Sequence, residues 1–582
     1  YRGTLIVQPM TMCKRPVFLT LLFFCLSIYN SGGLSSAHAE DQLPFEVIEQ
    51  LAALKDRSIG TEGNAQAADY ISSYFTSLGL EPQDYLFQVP TRKVINAHIS
   101  IAEKKGALKP LFNNAVTPQS TGLSGLTGPL YFVGDGNLSD LDGKLIEGSI
   151  LVMNFNSGRQ WLTAASLGAQ AVIFVDHGHT RSNAFFIEKE ELSPLQFPCF
   201  WMTSKEAELL FGPLSSKNGL ISNQVEILSS VVWETVTSKN IYCLIKGSDP
   251  QLSEKLLIIE AFYDSTRYVE GSAPGADEAV SISNLLGLAH YFSNNPPKRS
   301  VLLIATNGHA QALHGMRDVI WSLQERSKVL RDYRKELRNT IKAAKKRIAT
   351  LTSLSFPLVP DPDRDLIISS AIMDDLKMEV DRISRVLMKL RLEKDASSAN
   401  KSLITELADQ RFTLRKLSWR EQFNEMPDDE RTYFKKIISQ ALITLENRII
   451  DNTRELESLE SAMDFRQLCR DFTIDAVLSL HLSSHGEGIG GFHRGWLYRL
   501  RSRINRTGIF STIGQVFSDA AAQLPTTEIV EYIDTLRPSR LRSWDSYFID
   551  KPFLGGEISS LAGYIGVSLV TVGDGRSLWG TP

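Results

Sequence analysis

Three side chains in this sequence could together hold a divalent metal or move a proton: Glu278, His309 and His481. They stand in three separate loops. Two imidazoles and one carboxylate are enough to bind a single zinc or a similar ion. His314 and His485 follow closely in the same loops, and Asp277 adjoins Glu278. A metal held this way would activate water for hydrolysis, with a nearby base taking the proton. Against that reading, histidines spread over exposed loops are more often polar surface than ligands.

Such residues matter only if the fold gathers them. Residues 256–259 and 300–305 read as buried strands, linked by a polar loop, a turn at Pro274-Gly275-Ala276 and an amphipathic helix. A third apolar run covers 475–482, DAVLSLHL. Apolar strands separated by a helix predict an α/β sheet. In such sheets, sites form where loops leave the carboxyl ends of strands. Those loops are 261–278, 306–315 and the SSHGEGIGG segment after residue 482.

At 582 residues the chain is too long for one core, so two to four domains are expected. A hydrophobic content of 43% and a net charge of −4 describe an ordinary globular protein and give no footing for nucleic acid. Lys14 and Arg15 precede an apolar run, 17–28, and then Ala37-His38-Ala39, the pattern of a secretory signal cleaved after Ala39. The apolar run is shorter than the roughly 20 residues a membrane span needs. The first nine residues, upstream of Met10 and Met12, read as preceding the translated start. The expected mature protein is exported, periplasmic or extracellular, with no membrane span. Cys199, Cys243 and Cys469 remain after the signal, too few and too scattered for a disulfide framework.

Ala67, Tyr70, Ile71, Tyr74, Phe75 and Leu78 follow a helical period, closed by Gly79. The wording around them, RSIGTEGNAQAADYISSYFTSLGLEPQ, with Arg57, Gly60, Gly63 and Gly79, resembles the entry helix of the M28 family of zinc aminopeptidases. NIYCLIKGSD at 240–249 resembles the strand leading into that family's catalytic half. LIEGSILVMNF, AASLGAQAVIFVD and FPCFWMTSKEAELL resemble a protease-associated domain, a β-rich insert common in the family. His177 and His179 lie in a polar loop of that region and read as solvent-facing.

After Gly315 the texture becomes helical. Apolar residues recur at three- and four-residue steps over 321–354, 366–394, 401–423 and from Pro427 onward, which predicts antiparallel coiled-coil helices. The implied organisation is upstream residues and signal at 1–39, and M28-like segments at 40–109, 236–315 and 466–582. Between them lie a protease-associated domain at 110–235 and a helical insertion at 316–465. In relatives the last strand leads to a ligand-bearing loop and a terminal helix, so the chain is expected to lack that helix.

The resemblance implies a zinc-exopeptidase-type mixed sheet flanked by helices, and a two-zinc site. That site is built from a His, a bridging Asp, a Glu, a second Asp and a last His, with another Glu as base. Laid on that pattern, the first ligand position is Phe262, and Asp264 keeps the residue that would orient it. The bridging position falls on Glu278. The Glu-Glu pair falls on His309, at the base position, and Ala310. The second Asp matches His481, and the last His position falls on Gly580. Phe262, Ala310 and Gly580 have no donor atom for zinc.

The leading expectation is therefore an exported M28-like protein that has lost catalysis and serves as a binding or scaffold module for a peptide or protein ligand. Its expected cofactor is none, or zinc if a partial site survives. One alternative is a metal-dependent exopeptidase with an altered, mononuclear site at Glu278 and His481. A further one is an envelope interaction protein that meets its partner through the coiled-coil insertion.

Overall fold

Helix α1 (Leu43–Ala52) and helix α2 (Glu62–Ser77) come first. The Thr61 hydroxyl caps α2 by accepting the Asn64 N–H, and the helix buries Ala67, Ala68, Ile71 and Phe75. The computed structural model describes residues 43–484, with breaks at 115, 123, 179–185, 187, 192, 215–218 and 393–397, and then 488–492, 532–534 and 555–572. Residues 1–39, where a signal is expected, and His179, His485 and Gly580 lie outside the described residues.

Strands β1 (Gln83–Ile101), β2 (Lys104–Ala107) and β3 (Lys109–Pro110) follow. The chain then alternates β4 (Leu126–Phe132), α3 (Leu138–Leu141), β5 (Ile150–Asn154), α4 (Trp161–Ser166) and β6 (Ala171–Asp176). β7 (Cys199–Thr203) and α5 (Ser204–Phe211) complete this part. Strands β4 to β7 pair in parallel, each with the next. Both sheet faces are apolar. Leu151, Met153, Val172 and Phe174 pack one side, and Ile150, Val152, Ile173 and Val175 the other. Burial on both faces is why these strands read as continuous apolar runs.

The long strand β8 (Gly219–Ile245) pairs with β1 along most of its length and with β4 near its start. It is followed by β9 (Lys255–Phe262), α6 (Ala279–Asn294), β10 (Ser300–Thr306) and α7 (His314–Gln324). Beyond a helical segment come β11 (Thr473–His481), β12 (Gly488–Phe492), β13 (Tyr532–Asp534), α12 (Gly555–Leu561) and β14 (Gly566–Val572). One sheet runs β13-β12-β14-β11-β9-β10-β8-β4-β5-β6-β7-β3, with β1 on β8 and β2 on β1. The fold is α/β, a large mixed sheet flanked by helices. β9 lies between two parallel neighbours, with Phe262 beside Thr306 of β10 and Glu260 beside Ser479 of β11. Three carboxyl ends therefore meet at the same edge, flanked by the start of α6.

Contacts separate residues Glu325–Met463 as a unit of their own. It consists of α8 (Ser327–Thr352), α9 (Pro362–Leu392), α10 (Ser398–Ser418) and most of α11 (Asp428–Arg470). In α8 the buried residues Leu330, Leu337, Ala344 and Leu351 repeat every seven positions. Ala344 and Leu351 share a core with Ile372, Leu376, Leu387, Leu417, Phe434 and Leu445. The continuous helix expected over 321–354 is instead two helices, with Arg326 extended at φ −72°, ψ 134° between them. The carbonyls of Ser322 and Leu323, which a continuing helix would bond to the N–H groups of residues 326 and 327, instead accept the Arg466 guanidinium, and the Arg326 N–H donates to the Glu325 side chain. All three described cysteines, Cys199, Cys243 and Cys469, are free and buried.

Candidate functional site

The strand ends bring Phe262, His309 and His481 together. The Phe262 and His309 rings stack at 3.8 Å between centroids, and Phe262 and His481 lie 5.6 Å apart. His309 Nε2 and His481 Nδ1 share a hydrogen bond of 3.1 Å. All three are buried, at 1%, 5% and 3% exposure, so the rings fill the pit where the loops converge. In this bond one imidazole nitrogen donates its proton to the lone pair of the other. Two lone pairs aimed at one ion would require that proton to leave.

The surrounding carboxylates are each committed to a loop. Asp264 accepts the backbone N–H of His309 at 3.0 Å and of Ala310 at 3.2 Å. Asp277 accepts the Ser483 hydroxyl at 2.6 Å, and the N–H and hydroxyl of Ser484, both at 2.6 Å. Glu278 accepts the Thr266 N–H at 2.9 Å. Asp264 thus fixes the loop after β10, Asp277 the loop after β11, and Glu278 the loop after β9.

Their buried counter-charge is Arg57, in the turn before α2. Its guanidinium donates to the carbonyls of Pro274 at 3.0 Å, Gly275 at 2.6 Å and Tyr263. Burial pushes its pKa down to about 10, opposed by the charges of Glu278 and Asp264, so it stays protonated at neutral pH. Gly275 sits at φ 61°, where an added Cβ would lie 2.8 Å from Arg57 Nη2 and 2.9 Å from Glu278 Oε2. Only glycine lets the backbone approach this pair so closely.

Below the rings, Glu260 accepts the hydroxyls of Thr306 and Ser479 from the two neighbouring strands. Burial raises its carboxyl to about 7; the two hydroxyl bonds pull the other way, and the charge of Asp264 adds to the rise. Beside the rings, Asn307 Nδ2 shares its two hydrogens among Asn64 Oδ1, Ser238 Oγ and the Tyr263 hydroxyl, at 2.8, 2.7 and 2.9 Å. Asn240 accepts the Asn307 N–H and donates to the Gly315 carbonyl. This network ties α2, β8, β9 and β10 together behind the site.

Among the anticipated residues, His309, His481 and Phe262 converge, Ala310 lines the same loop, and Asp264, Asp277 and Glu278 surround them. His314 does not join them; its ring stacks on Phe87 at 5.5 Å, and burial lowers its pKa. His177 is exposed and hydrogen-bonds Asn154 at 3.1 Å. Glu260 went unremarked in the sequence, although a charge inside LLIIEAF is a visible signal of a special environment.

A family model for peptidase family M28 matches residues 240–332, from the end of β8 through α7. This part of the chain carries the sequence pattern of peptidase family M28. No curated protein sequence matches the chain significantly. Among solved structures, a zinc aminopeptidase from Bacillus subtilis is 20% identical, with a TM-score of 0.35, over 50% of this chain and 66% of its own. An aminopeptidase from Aneurinibacillus sp. strain AM-1 is also 20% identical, with a TM-score of 0.30, over 50% of this chain and 67% of its own. A peptidase M28 precursor from Shewanella amazonensis is 17% identical, with a TM-score of 0.33, over 47% of this chain and 66% of its own.

The described residues at these strand ends do not fit a pair of zinc ions. Phe262 and Ala310 offer only carbon, and the two histidines are bonded to each other. Asp264 has both oxygens on backbone amides. Among the described residues no group of three or more His, Cys, Asp or Glu is placed to hold a metal ion.

Proposed function

We propose that this chain is an exported M28-fold protein without peptidase chemistry, serving as a binding or scaffold module for a peptide or protein ligand. An M28 fold by itself suggests a peptidase-like function. What supports the finer reading is the ring stack of Phe262 on His309, with His309 hydrogen-bonded to His481. A phenyl ring seated on an imidazole there leaves no carbonyl-polarising centre among the described residues. It also gains stacking energy, about 0.5–1.5 kcal/mol for an aromatic pair. The protease-associated region (110–235) and the separate helical unit are, in this reading, the surfaces through which ligands and partners are met. Export rests on residues 14–39. Among the described residues no helix is long and apolar enough to cross a membrane.

The second reading, a hydrolase with one metal at the altered site, draws on the 3.1 Å approach of the two histidines, since a shared ion also needs them close. Turnover separates the two. Incubated with zinc and aminoacyl-anilide substrates, the purified chain is expected to hydrolyse none above the uncatalysed rate. Zinc-dependent turnover that disappears in both His309→Ala and His481→Ala would instead establish the hydrolase.

A further inference from the structure

Helix α8 stands apart electrostatically from the rest of the chain. It carries nine Lys and Arg against two Asp and Glu, whereas the whole protein is net −4. Lys328, Arg331, Lys335, Arg338, Lys342 and Lys345 follow one another at alternating steps of three and four residues, which places them in one stripe. All six are exposed, and Lys346 extends the stripe. Leu330, Leu337 and Ala344 are buried, so the helix is anchored by its other side. Among the described residues only Arg338 of this stripe forms an ion pair, with Glu460 at 2.5 Å. The two acids, Asp332 and Glu336, fall to one side of it. The stripe runs roughly 26 Å along a straight helix.

So long a run of cations, largely without internal partners, is matched by an extended anion. The shape of the surface narrows the choice. Reading a nucleic acid's bases takes a whole helix in a groove or stacking aromatics. α8 offers only a flank, because its core side is packed, and the aromatic nearest the stripe, Tyr333, is half-buried and donates to Glu455 at 3.1 Å. A flank of bare ammonium and guanidinium groups in line fits a plane of phosphate headgroups, and the stripe has no apolar residue that would enter the acyl region. We propose that this face of α8 docks the protein on an anionic lipid surface.

Sedimentation of the full chain with vesicles tests this. Binding is expected on phosphatidylcholine vesicles containing phosphatidylglycerol and not on phosphatidylcholine alone. It should be lost as salt approaches 1 M, where the screening length falls to about 3 Å. Neutralising three cations in Lys335→Gln, Lys342→Gln and Lys345→Gln together should weaken binding on the order of 100-fold, about fivefold for each charge. All three side chains are exposed, so the melting curve of the variant should match the parent, and the salt series on the parent is an independent readout. Equal binding to both vesicle types, binding that survives the triple substitution, or tighter binding to duplex DNA than to the anionic vesicles at equal salt would overturn the proposal.

Discussion

Arg57→Met should cost the fold about 3–5 kcal/mol in urea unfolding, because it leaves buried charge and buried carbonyls uncompensated. The guanidinium is fully buried and joins two loops that are more than 200 residues from it in sequence, through the carbonyls of Tyr263, Pro274 and Gly275. It is also the cation facing Glu278 and Asp264. Methionine fills similar space but donates nothing, so three carbonyls and two carboxylates would lose their partner together. Arg57→Lys keeps the charge yet cannot reach three carbonyls from one ammonium, so an intermediate loss is expected. A loss under about 1 kcal/mol for the methionine variant would mean that the loops are held by other means.

The second large effect has the opposite sign. Glu260 is wholly buried, and its carboxyl is raised from the usual carboxylic range to about 7. The folded protein therefore holds this proton more tightly than the unfolded chain does. Its contribution to stability is fully present below about pH 4.5, declines as pH rises through 7, and is absent above. A shift of this size corresponds to roughly 3 kcal/mol over that window. Glu260→Gln, neutral at every pH, should make the protein more stable than the parent by up to about 3 kcal/mol at pH 8, and should leave stability near pH 4.5 unchanged. Urea midpoints of both proteins at the two pH values measure the difference directly. A variant less stable than the parent at pH 8 would mean that the charged carboxylate, on the Thr306 and Ser479 hydroxyls, is the stabilising form.

These two residues also mark the limit of what the sequence discloses. β9 and β10 are legible because LLIIEAF and SVLLIAT are buried on both faces and bounded by turn residues. The long pair β1 and β8 is less so, because much of it alternates between exposed and buried positions over 19 and 27 residues, with no turn to frame it. The family resemblance drew attention to Phe262, His309 and His481, and the sheet does bring them to one place. That the two histidines would bond to each other under a phenyl ring depends on the register of three strands joined by loops of very different length. Register of that kind is set by packing and leaves no local pattern. The same holds for Asn307, whose partners Asn64, Ser238 and Tyr263 come from three different elements.

The most direct test of a dismantled metal site is the zinc content of the purified full chain, equilibrated with zinc, dialysed and measured by elemental mass spectrometry. The stacked rings and the committed carboxylates predict far less than one zinc per chain, unchanged in His309→Ala and His481→Ala. One or two tightly held zinc ions per chain, lost in those variants, would contradict it.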